Sequence, residues 1–288
     1  MAKQAVATPG KGRTAPAGKG VATRGTTDAA TIEQINAMML ADAGKGVSTA
    51  MEDNVVPLIY ILQALSPQVQ KKKPESYIKD AEAGMIWFRG TKDLVVGDDG
   101  IAVVPCHFNK VWIEWQPNRG GFVARHDEKP HDAVLKEDLE NKKKFWARPG
   151  GNIVVETREH VVIVLDVFDV PTPFVIPMSG SGHKASRDWM TLQNTKRVPD
   201  EPSVKAPSYG FIYRMKTLFR TNDQGDWFTW IVENEGGVST QLTDPEVYMM
   251  ARQIEIDFSG GKKVAAHGDM DGADTDVSGT DSAAGKHI

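Results

Sequence analysis

Three cations alternate along one stretch of the chain. Between Phe211 and Arg220, the residues Arg214, Lys216 and Arg220 share one side of a two-residue repeat with Ile212 and Leu218. Phe211, Tyr213, Met215, Thr217 and Phe219 share the other. A strand sets alternate residues about 6.5 Å apart, close to the phosphate spacing of a single nucleic-acid strand. A cationic row at that spacing suits a phosphate backbone. The aromatic side then reads as core. The competing reading is a solvated sheet face with no ligand.

A second stretch, VWIEWQPNRGG at 111–121, pairs tryptophan with arginine and glycine. Val111, Ile113 and Trp115 share one face of a strand, and Trp112 and Glu114 share the other. Trp112 beside Arg119 and two glycines suits base stacking with close backbone approach. The alternative packs Trp112 under the residues at 131–146. A third stretch, SGSGHKASRDW at 179–189, leads from a Gly/Ser loop into a helix carrying Lys184 and Arg187. Helix amides and cations together suit a phosphate. The Gly-Lys-Ser/Thr pattern of a phosphate loop is missing, which argues against nucleotide hydrolysis. Two basic runs remain: Lys71, Lys72 and Lys73, and Lys142, Lys143 and Lys144, the latter beside Phe145 and Trp146. Charge runs are commonly just solvated.

Catalytic readings are weaker. Glu156, Glu159, His160, Asp166 and Asp169 cluster along one strand and its exit, but their spacing matches no metal motif. A metal-dependent nuclease is therefore the least supported reading. Cys106 and His107 are strand neighbours whose side chains point to opposite faces. His183 has no identifiable nucleophile. The sequence predicts no catalytic residue, no metal and no cofactor.

These residues need elements to hold them. The periodicity predicts a short helix at 31–44, a body that starts near Val55 with the apolar stretch 55–69, then strands at 84–90, 94–108 and 110–115. Residues 131–146 read as a charged helix or partly helical excursion. Strands follow at 152–168 and 173–180, then a helix at 183–196 with Ala185, Trp189 and Leu192 on one face. Residues 208–233 read as a hairpin around Asn222-Asp223-Gln224-Gly225. Residues 244–258 read as a closing helix with Pro245 just inside its start. The fold class is mainly β or α+β: an OB-like antiparallel barrel or a curved sheet with helical insertions.

The chain has 288 residues, 40% hydrophobic and 25% charged, with a single cysteine and no internal repeat. These values are ordinary for a globular protein, and one cysteine permits no internal disulfide. No apolar run approaches the length of a membrane span, and no secretory signal is expected. The net charge of −4 conceals a gradient. Residues 1–28 carry five cations against Asp28, residues 262–288 carry three against five aspartates, and 29–261 is left at −6. A nucleic-acid site on such a body has to be a local basic stripe. The expected division is a disordered basic arm (1–28), a helical lead-in (29–53), a single OB-like nucleic-acid-binding domain (54–261) and a disordered acidic tail (262–288).

Over about residues 54–258 the order of motifs resembles a family of tailed-bacteriophage proteins identified as single-stranded DNA-binding proteins. Lys184, Arg187 and Trp189 match its Lys-x-x-Arg-x-Trp helix. Trp115, Pro117, Gly120 and Gly121 match its Trp-x-Pro-x-x-Gly-Gly segment. The resemblance implies an OB-like fold and a non-enzymatic role in phage DNA replication or recombination. The five aspartates of 269–281 resemble the acidic tails by which such proteins recruit partners.

The expected function is sequence-independent coating of single-stranded DNA in the host-cell cytoplasm, by a protein that could form a homo-oligomer. Cations would neutralise phosphates and exposed rings would stack bases. The alternatives are a virion or assembly protein that binds no DNA, and a recombination mediator or annealing protein.

Overall fold

A computed structural model describes residues 29–42, 55–117, 121–138, 144–223, 225–233 and 240–267. The chain divides into two units, residues 1–47 and 48–288. The first contributes helix α1 (Ala29–Ala41), which leaves Ile35, Met38 and Met39 exposed. The sequence-predicted disorder at 1–28 and 268–288 lies outside the described residues.

The second unit begins with β1 (Val55–Val56), β2 (Ile59–Ile61), β3 (Ile86–Phe88) and β4 (Leu94–Val95). The long β5 (Ile101–Trp115) follows, with β6 (Phe122–His126), β7 (Val134–Glu137), β8 (Lys144–Ala147), β9 (Ile153–Val164) and β10 (Thr172–Ser179). Then come α2 (Gly182–Thr195), β11 (Arg197–Val198), β12 (Glu201–Lys205), β13 (Phe211–Asn222) and β14 (Gly225–Glu233). The short β15 (Thr240–Gln241), α3 (Pro245–Ser259) and β16 (Val264–Ala265) complete the fold. The class is α+β with strand dominant, as the sequence predicts.

The main sheet runs β14-β13-β5-β9-β8-β7, with β10 added to β9, β15 to β13 and β6 to β5. Its pairings are antiparallel. Among the described residues this path is open, so the curved-sheet form of the expectation holds rather than a closed barrel. β5 is the spine and pairs with β9 along nearly its whole length.

Alternation along β9 explains its unbroken apolar run. Val161 and Ile163 face a core under α3, while Val162 and Val164 face one under α2. A strand covered on both faces needs apolar residues at every position. β5 does the same, with Val104 and Cys106 on the α3 side and Ile101 and Val103 on the α2 side. Helix α3 supplies Val247, Ala251, Ile254 and Phe258 at helical spacing. Its start is capped by Asp244, whose carboxylate accepts from the amides of Glu246 and Val247.

Three expectations are corrected. Residues 131–146 form no helix in their described part: β7 and β8 pair as a hairpin on the sheet edge. Their Val-Leu and Phe-Trp pairs favour strand, and β8 is also bonded to β9. The expected strands at 94–108 and 110–115 are divided differently: Leu94–Val95 form the short β4, and Ile101–Trp115 run unbroken as the 15-residue β5. Residues 262–267 belong to the fold and not to a tail. Val264 and Ala265 pair in parallel with Val55 and Val56, and Arg89 donates to the carbonyl of Ala266 at 2.6 Å.

Candidate nucleic-acid interface

The hairpin forms where the sequence places it. Asn222 pairs with Gly225, whose φ of 127° a side chain would resist. This turn fixes the register that sets Arg220 opposite Trp227. On the other side, the Gly/Ser loop at 179–182 delivers the first turn of α2. Ser181 is the N-cap and makes no side-chain capping bond.

Between α2 and β14 lies a groove of about 610 Å³. Lys184, Asp188 and Leu192 line it from the helix. Arg220, Trp227 and Ile231 line it from the hairpin. Lys184 and Arg220 were both anticipated from sequence, and the fold brings them to one place. Lys184 is ion-paired to Asp188 one turn on, but both are exposed. An exposed pair at that spacing is worth only about 0.3–0.5 kcal/mol, so the ammonium is easily released to a phosphate. Arg220 is exposed and makes no ion pair among the described residues.

The groove also has unused hydrogen-bonding capacity. Ser181 Oγ, Trp227 Nε1 and Thr229 Oγ1 belong to lining residues, are buried, and have no hydrogen-bond partner among the described residues. Buried polar groups are normally paired. Two cations, a half-buried indole, an apolar wall and a helix N-terminus make a surface suited to an anionic chain carrying flat rings.

A family model described as Pam3 phage gp34-like protein matches residues 28–264. The chain belongs to the Pam3 phage gp34-like family. It is thus a phage protein, and both walls of the groove lie inside the match. No curated protein matches the chain, and no solved structure does.

Other anticipated residues of this family member sit elsewhere. Arg214 pairs with Asp166 at 3.0 Å and donates to the carbonyls of Asp99 and Gly100. Lys216 pairs with Glu233 across the hairpin. The three-cation row is therefore not a free phosphate track, and Arg220 is its one member in the groove. Trp112 is buried, so its stacking role is replaced by the packed alternative. Its ring meets Trp146 edge-on at 6.3 Å, among Ala133 and Val154. Trp115, read as core, is only half-buried and lies edge-on to Phe122. Phe219 is 51% exposed and not core. Arg187, Lys144 and the run Lys71, Lys72 and Lys73 are exposed but do not line the groove. Arg119, Lys142 and Lys143 lie outside the described residues.

Sequence reasoning missed Trp227, Thr229 and Ile231. The signal was present, since GDWFTWIVE alternates these three against Phe228, Trp230 and Val232. The acids considered for a metal site are dispersed. Glu159 binds Arg125 and His267, Asp166 holds Arg214, and Glu156 sits near Lys110 and Arg158. His160 bonds Ser186 at 2.8 Å, and burial pushes its imidazole down to about 3. Among the described residues no group of three or more such side chains is arranged to hold a metal ion. No described helix is long and apolar enough to cross a membrane.

Proposed function

We propose that this phage protein binds single-stranded DNA without sequence preference, through the groove between α2 and β14, and does so without catalysis. The observation that carries the reading is the convergence of Lys184, Arg220 and Trp227 on one groove from separate elements. About 610 Å³ is the size of a site for a drug-sized ligand, and it accommodates a base against the indole with flanking phosphates on the cations. Backbone charge and base stacking together give affinity without sequence readout. The setting is the host-cell cytoplasm during phage DNA replication or recombination. The acidic run 269–281 then recruits partner proteins.

Titration with oligo-dT tests this. Binding should quench tryptophan fluorescence and weaken steeply with salt, and double-stranded DNA of equal length should bind more weakly. No quenching and no gel shift at low salt would reject the reading.

One observation favours a protein contact instead. β14 is the edge of the main sheet among the described strands, with Ile231 40% and neighbouring Phe219 51% exposed. An assembly role predicts salt-independent association with a phage protein and no response to oligo-dT.

A further inference from the structure

Helix α2 has a second lined face. Lys184, Asp188 and Leu192 turn toward the groove. Met190, Gln193 and Asn194 lie on the opposite side and border a separate cavity of about 230 Å³. The cavity lies at an irregularity in β5. Pro105 pairs with Val162 and His107 with Val161, so Cys106 is an extra residue in the ladder. Such a bulge re-aims the side chains beside it, and here Cys106, His107 and Phe108 all line the cavity. It breaks the strict alternation on which the sequence reading of Cys106 and His107 rests.

We propose that this cavity binds a nucleobase bearing carbonyl oxygens, thymine or guanine, with its phosphate held at the rim. The volume exceeds the roughly 150 Å³ that admits a benzene ring and is below that of a drug-sized site. A single base is the right size. Phe108 and Met190 offer apolar surface for its faces.

The polar groups are biased toward donors. Gln193 is 9% exposed and its Nε2 has no hydrogen-bond partner among the described residues. Asn194 Oδ1 is already occupied by Lys205 Nζ at 2.7 Å, so its free capacity is the Nδ2 donor. Two amide donors meet carbonyl oxygens. The half-buried Glu255 carboxylate accepts from Ser259 Oγ at 2.6 Å through Oε1, and its Oε2 is the acceptor for a ring N–H, which thymine and guanine have and adenine lacks. Lys205 is exposed at the cavity and already linked to the Asn194 amide, the place for a phosphate. His160 is neutral across the physiological range and adds no competing charge.

The same chemistry is presented by a free nucleotide and by a base within a strand. The proposal uses none of the groove residues and does not rest on the groove reading.

Calorimetric titration of the full chain with dTMP, dGMP, dAMP and dCMP tests it. Saturable binding of dTMP or dGMP, at least about tenfold tighter than dAMP, is expected. Gln193→Leu keeps the volume and removes the amide, and should weaken binding about tenfold, the loss of one good hydrogen bond. Lys205 is exposed, so Lys205→Gln should leave the fold intact. It should weaken dTMP but leave thymidine unchanged, which keeps the test decisive if Gln193→Leu does not fold. Arg220→Ala should leave mononucleotide binding intact while weakening oligo-dT, separating cavity from groove. If dTMP binds and a capped oligo-dT does not compete with it, the natural ligand is a free nucleotide; competition assigns a base of the strand. No binding by any of the four up to about 10 mM, equal binding of dAMP, or unchanged affinity in both cavity variants would overturn the proposal.

Discussion

The rings of Trp112 and Trp146 meet edge to face, with centroids 6.3 Å apart and planes at 87°. Lys129 Nζ lies 3.6 Å from the centre of the Trp146 ring. The pair pins the β7–β8 hairpin to the far end of β5. Trp112→Ala should therefore cost about 3–5 kcal/mol of stability, as large aromatic truncations in cores do. It should not alter fluorescence quenching by oligo-dT in whatever fraction remains folded. Urea denaturation followed by circular dichroism measures the first, and a titration of the folded protein the second.

Trp227 should behave in the opposite way. It is half-buried and lines the groove. Replacing it with phenylalanine should preserve the fold and remove most of the quenching by oligo-dT. A variant that is quenched like the parent would move the stacking site elsewhere.

Salt dependence resolves the cations one by one. Each phosphate contact on a single strand contributes about −0.7 to the slope of log affinity against log salt. Arg220→Ala should flatten the slope by about 0.7, and so should Lys184→Ala. Arg214→Ala should leave the slope unchanged and lower stability, because that guanidinium holds Asp166 and the carbonyls of Asp99 and Gly100. Affinities measured from about 50 to 300 mM salt distinguish the two kinds of cation.

The two ends of strand β13 should differ in stability. Phe211 is 9% exposed and packs in the core under α2, whereas Phe219 is 51% exposed and touches Phe228 edge-on at 5.3 Å. Phe211→Ala should cost about 3–5 kcal/mol. Phe219→Ala should cost about 1 kcal/mol, the scale of one aromatic pair. Comparable losses in the two variants would contradict this packing.

The reasons for success and failure along the sequence are physical. Hairpin β13–β14, α2 and α3 were legible because their periodicity, turn and capping residues are local signals. Trp112 was misplaced because alternation was read as core against solvent, while β5 is covered on both faces at that point. Glu114 shows the same thing. It is 2% exposed yet satisfied by His126, Arg148 and Asn152, partners that are far along the chain. The groove was half legible. Lys184 and Arg220 carry a charge signal, but nothing local shows that α2 and β14 face each other. The pairing of β16 with β1 joins residues more than two hundred apart and left no local trace.

The buried carboxylates set an acid limit on stability. Burial alone would raise Glu114 and Glu159. Hydrogen bonds from Asn152, Arg148 and His126 to the first, and from His267 and Arg125 to the second, outweigh it and hold both below the ordinary value of 4.5. Such groups contribute stability above the unfolded value, and the contribution is lost as pH falls through the lower folded one. Urea midpoints should thus begin to fall below about pH 6.5, where the unfolded chain protonates an imidazole that burial keeps neutral at His160, and fall more steeply below about 4.5, where the two carboxylates add their loss. Glu159→Gln should cost about 1–3 kcal/mol at pH 7, since it takes the buried carboxylate from Arg125 and His267 and leaves the guanidinium only the exposed Asp127, and the gap from the parent should narrow at low pH.

The parallel pairing of β1 with β16 has a mechanical consequence. The chain leading into Val55 and the chain leaving Ala265 attach at opposite ends of that two-strand pair. Tension drawn through the two flanking segments therefore shears the pair, straining its hydrogen bonds all at once instead of unzipping them singly. The Arg89 contact to Ala266 and the bond between His267 and Glu159 hold the two residues that follow β16. The domain is thereby fastened where a pull on its two ends is first felt.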